Sequence, residues 1–163
     1  MPALRIIVPA IAAAVAAAAS PALISPAFAE TVMRHAKGPF DVATKPVEQD
    51  KAEGSTLGRF SLDKTYHGAL EATGKGEMLT VGTDVPGSAA YVAVERVVGT
   101  LDGKPGSFAL VHRGSMRGKD VNMSVDIVPD SGAGALKGVT GRLIITVVEG
   151  KHQYELEYAL PGQ

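Results

Sequence analysis

The sequence predicts an all-β protein, a single eight-stranded antiparallel β-barrel, from three observations. Apolar and polar residues alternate with period two through most of the chain, as they do in strands with one buried face. Tight-turn pairs separate these runs, and no apolar set repeats at helical spacing. The chain has no cysteine, so no disulfide can staple it. A closed barrel removes the edge strands that the alternative architecture, a β-sandwich, would leave open.

Residues 1–29 read as a cleaved secretory signal peptide. Arg5 supplies a positive start, Ile6 to Ala19 an alanine-rich apolar run, and Ala27-Phe28-Ala29 an A-x-A cleavage site. Pro9 breaks the run and no stop-transfer charges follow, which argues against a membrane anchor. The expected location is therefore outside the cytoplasm, periplasmic or secreted. Removing 29 of the 163 residues leaves 134, enough for one domain with its own core. Only Arg5 of the 16 basic residues leaves with the leader, so 15 stand against 17 acids, a net charge of −2. There is no basic block and no basic amphipathic helix, which excludes nucleic acid and membrane insertion from the expected partners.

The elements follow in order. Residues 30–37 form a polar lead-in without period, expected to be flexible, and residues 38–163 form the barrel domain. Phe40 and Val42 alternate with Asp41 and Ala43 in a first short strand that Pro46 is expected to end. Val47 to Gly58 reads as a charged, glycine-bearing loop. Arg59 to His67 alternates Phe60, Leu62 and Tyr66 against Ser61, Asp63 and Thr65. Gly68 to Gly82 continues as a strand whose glycines at 74 and 76 suggest a bulge or a bend. Asp120 to Val128 sets Val121, Met123, Val125 and Ile127 against Asn122, Ser124 and Asp126. Pro129 to Gly141 is a long connection, Arg142 to Glu149 a dense apolar strand, and Gly150-Lys151 a turn. The last strand, His152 to Leu160, carries Tyr154, Leu156, Tyr158 and Leu160 on one side and Gln153, Glu155 and Glu157 on the other.

The hairpin from Ser88 to Ser115 carries the candidate chemistry. If Asp102-Gly103-Lys104-Pro105 is a four-residue loop, Thr100 faces Ser107 and Glu95 faces His112, with Val97 opposite Leu110 on the same face. A one-residue slip would turn Glu95 to the other side of the sheet. A carboxylate beside an imidazole can fix the ring's tautomer and raise its basicity, which suits a general base in an apolar cavity. The alternative is a buried polar pair whose members satisfy each other and serve the fold.

The stretches TYHGALEATGKGEML (65–79), VERVVGTLDGKPGSFALVHRG (94–114), IVPDSGAGALKGVTG (127–141) and HQYELEY (152–158), with FDV at 40–42, resemble a bacterial family known as domain-of-unknown-function family three-two-two-four. The likeness spans nearly all of the mature chain. It implies an allene oxide cyclase barrel-like fold, an eight-stranded antiparallel barrel with a ligand-sized cavity in the plant enzymes. Through the plant barrels it also implies a possible homo-oligomer. The resemblance carries no catalytic residue over to this chain.

Four further side chains are candidates for lining a ligand site: Tyr66, Glu77, Tyr91 and Tyr154, the tyrosines each with an apolar ring and a hydroxyl handle. Their plainer reading is core packing for the tyrosines and an exposed strand position for Glu77. Four scattered histidines show no metal spacing, and the glycine-rich connection at 131–141 lacks the full dinucleotide fingerprint, so neither a metal nor a cofactor is expected. No nucleophile elbow surrounds Ser115 or Ser131. The expected function is binding of a small apolar or amphipathic ligand in the barrel. The alternatives are a cofactor-free isomerase or cyclase using the Glu95–His112 pair, and a structural or oligomer-forming module without ligand.

Overall fold

The computed structural model describes residues 32–162, so the expected signal peptide at 1–29 lies outside the described residues. Nine strands follow one another: β1 (Arg34–Ala52), β2 (Ser55–Tyr66), β3 (Leu70–Thr83), β4 (Ser88–Leu101), β5 (Lys104–Arg117), β6 (Asp120–Ile127), β7 (Ala133–Gly134), β8 (Thr140–Val148) and β9 (Lys151–Ala159). No helix occurs among the described residues. All pairings are antiparallel. In the single sheet β4, β3, β2, β1, β9, β8, β6 and β5 are successive neighbours, and pairing of β4 with β5 closes them into a ring of eight, with β7 appended to β5. The seam between β6 and β8 is narrow, resting on the single register pair Asp126 and Arg142.

Four sequence expectations need correction. Arg34 to Lys37, assigned to the lead-in, already pair with β9. Pro46 does not end the first strand: β1 runs on to Ala52, and the segment read as a loop forms the β1–β2 hairpin around Glu53 and Gly54. Proline is tolerated because residues 41–52 pair with β2 on one side only, so its missing N–H faces an open edge, and a register shift between Pro46 and Glu48 absorbs the irregularity. Gly74 and Gly76 make no bulge, since β3 keeps continuous register with both neighbours through them.

The fourth correction decides the site. The β4–β5 turn has two residues, Asp102 and Gly103, both at positive φ (47° and 76°), the backbone of a type I′ turn. Lys104 and Pro105 already belong to β5, opposite Leu101 and Thr100. Glu95 therefore faces Leu110, and His112 faces Ala93. The register differs from the expected one by two residues rather than one, so Glu95 and His112 stay on the same face and meet diagonally.

The ring is filled at one end and hollow at the other. Leu70, Val97, Leu101, Phe108, Leu110, Leu136, Val139, Leu156 and Tyr158 are buried together where β2, β6 and β9 end and β3, β5 and β8 begin. Leu136 and Val139 come from the long connection after β6, which plugs this end. Beyond this core the inner face changes character.

Candidate functional site

At the boundary between core and hollow, the inner face carries Lys64 from β2 and Glu95 from β4, with His112 from β5 beside them. Period two put Lys64 there: it stands between Leu62 and Tyr66 on the inward face, all three buried. Lys64 Nζ lies 2.9 Å from Glu95 Oε2 and donates to the Tyr66 hydroxyl at 3.2 Å. That hydroxyl donates in turn to Glu95 Oε1 at 2.8 Å. His112 Nε2 is 3.1 Å from Glu95 Oε2, close enough for an ion pair, but neither atom has an aligned hydrogen-bond partner. The Lys64 ammonium also lies 5.1 Å from the centre of the Phe40 ring, a cation–π contact that helps hold a charge away from water.

The carboxylate fits because β3 presents no side chain there. A Cβ at Gly74 would collide with Glu95 Oε1. Burial is the largest influence on Glu95 and by itself would raise its pKa. The contact with His112, the charge and close approach of Lys64 and the hydrogen bond from Tyr66 together outweigh it and hold the carboxyl below the usual glutamate range. Burial, then the charge of Glu95, pushes the Tyr66 phenol well above the ordinary tyrosine value, so it stays protonated as the donor.

Above this network lies a cavity of about 290 Å³, bounded by Phe40, Val42, Leu62, Met78, Ala93, Met123, Ile145 and Val147 together with five polar residues, Thr44, Lys64, Tyr91, His112 and His152. Seven of the eight ring strands and the splayed start of β6 contribute to it. Larger hollows of about 480 and 570 Å³ lie against the outer side, lined by side chains such as Lys75, Glu77 and Val94 or Leu79 and Val92. They are grooves on the outer face of the sheet; the smaller runs along β4 past Glu95, whose side chain is 0% exposed.

The six residues singled out from the sequence thus separate. Glu95 and His112 are together, but only His112 lines the cavity; the Glu95 side chain is 0% exposed beneath it. Tyr91 is in the wall, its ring lying over Gly114, where a Cβ would strike it. Tyr66 is below the floor in the charge network. Tyr154 is core: its hydroxyl accepts from Leu70 N at 2.8 Å and donates to His67 O at 3.0 Å, tying the β2–β3 turn to β9. Glu77 faces outward and is bound by Arg59 at 3.0 and 3.2 Å. Lys64 was missed, though the even-numbered parity of Phe60, Leu62 and Tyr66 already pointed it inward. Among the described residues the grouping able to offer three metal-ligating atoms, His35 with Glu155 and Glu157, is a surface cluster whose acids already pair with Lys37 and Arg142.

Fold and site together define a class: an antiparallel eight-stranded ring, plugged at one end and hollow at the other, with a buried Lys–Glu–Tyr–His network under the hollow. The chain belongs to the family described as "Protein of unknown function (DUF3224)", whose model matches residues 36–158. It is similar to a crystal structure of a protein with unknown function from the same family, from Shewanella oneidensis MR-1, with 46% identity and a TM-score of 0.72. That match covers 78% of this chain and 97% of the other. No curated protein matches the chain.

Proposed function

We propose that the protein binds a small amphipathic molecule in the hollow end of the ring. The observation that carries this reading is the cavity itself: a mostly apolar wall closing on a few convergent polar groups, the usual composition of a small-molecule site. At ~30 Å³ per non-hydrogen atom, the share a water molecule has in the liquid, it holds about ten such atoms. The alanine-rich leader supports placing this activity outside the cytoplasm. The isomerase reading has less support, because Glu95 lies behind Lys64 and His112 and cannot reach a molecule in the cavity.

Ala93 lines the cavity and is 4% exposed, so Ala93→Phe would fill it from within. Small molecules extracted from wild-type protein and from Ala93→Phe, both purified from the natural host, are compared by mass spectrometry. The reading expects one amphipathic compound at stoichiometric level in the wild type and its loss from the variant. An empty wild-type extract, or equal amounts in both, would sink it.

A further inference from the structure

The polar residues facing the cavity are all hydrogen-bond donors or bases, and no Asp or Glu is among them. The acid nearest to hand, Glu95, is screened from the cavity by the two groups it touches. Lys64 has three N–H donors, of which one goes to the Tyr66 hydroxyl, while the ammonium is ion-paired with Glu95 at 2.9 Å. The His112 side chain is only 4% exposed and borders the cavity, with its Nε2 turned to Glu95 Oε2 at 3.1 Å. Buried polar groups of this kind are ordinarily satisfied, so a lysine with a spare donor beside an imidazole that borders the same apolar cavity marks a place that an acceptor completes.

Resting on the ligand-binding reading above, we propose that Lys64 and His112 form a receptor for the carboxylate of a small monocarboxylic acid, whose apolar body lies among Leu62, Met78, Met123, Ile145 and Val147. A cationic head would meet the Lys64 ammonium and find no acid in the wall. A phosphate dianion asks for charged donors on several sides, whereas the wall around Lys64 and His112 is mostly apolar. A neutral alcohol can accept from these donors but brings no charge to strengthen the hydrogen bond from the Lys64 ammonium. Tyr66 holds its proton toward Glu95, which leaves the cavity to the Lys64 ammonium and the imidazole beside it. The acid's head then lies toward the core and its tail toward Met123, Ile145 and Val147, on the strands that part at the β6–β8 seam.

The probes are octanoate, octan-1-ol and octan-1-amine, which share one chain and differ in the head. Each is titrated into the protein with labelled methionine methyls. Met78 and Met123 report on the cavity, and Met116, outside the cavity wall, serves as the internal reference. Octanoate is expected to shift Met78 and Met123 and to bind roughly tenfold or more tightly than octan-1-ol, the size of a charge-assisted hydrogen bond; the amine should bind more weakly still. His112→Gln, and Lys64→Met combined with Glu95→Leu so that no lone charge stays buried, should each erase the preference of acid over alcohol. Equal binding of acid and alcohol at the same methyls, or a preference that survives both variants, overturns the carboxylate receptor and leaves the cavity reading standing. Should none of the three move Met78 and Met123, both readings fall. If the variants do not fold, the three-probe comparison in the native chain decides alone.

Discussion

Glu95 is buried because Gly74 has no side chain. Across the β3–β4 pair the carboxylate occupies the volume that a Cβ at 74 would take, and it is pinned there by Lys64, Tyr66 and His112. An overfilled site of this kind relaxes only by moving a group that has nowhere else to find partners, at a cost of typically 1–3 kcal/mol. Gly74→Ala should therefore lower the unfolding free energy by about 2 kcal/mol in denaturant titration. Gly82, on the same strand with open space around it and ordinary φ, is the control, and its change to Ala should be close to neutral. Equal effects at the two positions would show that the carboxylate is not sterically held. At this scale the sequence was half legible. The inward parity of Glu95 and His112 could be read, and so could that of Lys64 once Phe60, Leu62 and Tyr66 were seen to alternate. What Gly74 is for could not be read, because a missing side chain announces only that something approaches.

Strands were easiest to find where both neighbours run their whole length, and hardest where one neighbour is absent. β4 and β9 read cleanly, whereas the outer half of β1 did not, because an edge needs no apolar alternation and is instead guarded by Pro46, Lys45, Glu48, Asp50 and Lys51. The two-residue turn was misjudged for a local reason. Pro105 looks like a loop residue, yet Asp102 and Gly103 supply the positive φ the turn needs and the strand resumes at Lys104. The β6–β8 seam has no counterpart in the sequence at all: Val121 and Met123 alternate as a buried face should, but they are 66% and 37% exposed because β6 meets β8 only at Asp126, beyond them. That splay has a measurable consequence. In native-state hydrogen exchange, amides of β6 over residues 121–125 should alternate, slow where they point to β5 and fast where they point to the gap. β4, paired on both sides from Ala89 to Leu101, should be slow throughout. Uniform protection along β6 would mean that the seam is closed in solution.

For the whole molecule, the alternation was enough to predict a closed antiparallel ring, because eight strands without cysteines or helices have few other ways to hide their edges. The buried charge network then makes its stability depend on pH from two sides. Glu95 has a folded pKa below its ordinary 4.5, so the unfolded chain binds its proton first as pH falls. Stability from Glu95 is fully present above about pH 4.5 and is lost as pH drops from there through the folded value. Tyr66 works in the opposite sense. Its folded pKa is raised above the ordinary 10.0, so its contribution is complete below pH 10 and fades above it, as the unfolded phenol ionises and the folded one does not. Because Tyr66 donates to Glu95, the two arms are coupled. Tyr66→Phe should flatten the alkaline arm, though not abolish it, since Tyr154 and Tyr158 are raised as well, and it should shorten the acid arm, bringing its lower limit up toward pH 4.5, by removing one of the hydrogen bonds that hold Glu95 ionised. Melting temperature measured from pH 2 to 11 for wild type and variant checks both shifts at once. An acid arm left in place by Tyr66→Phe would mean that Lys64 and His112 suffice to keep the carboxylate charged, and that the phenol serves packing alone.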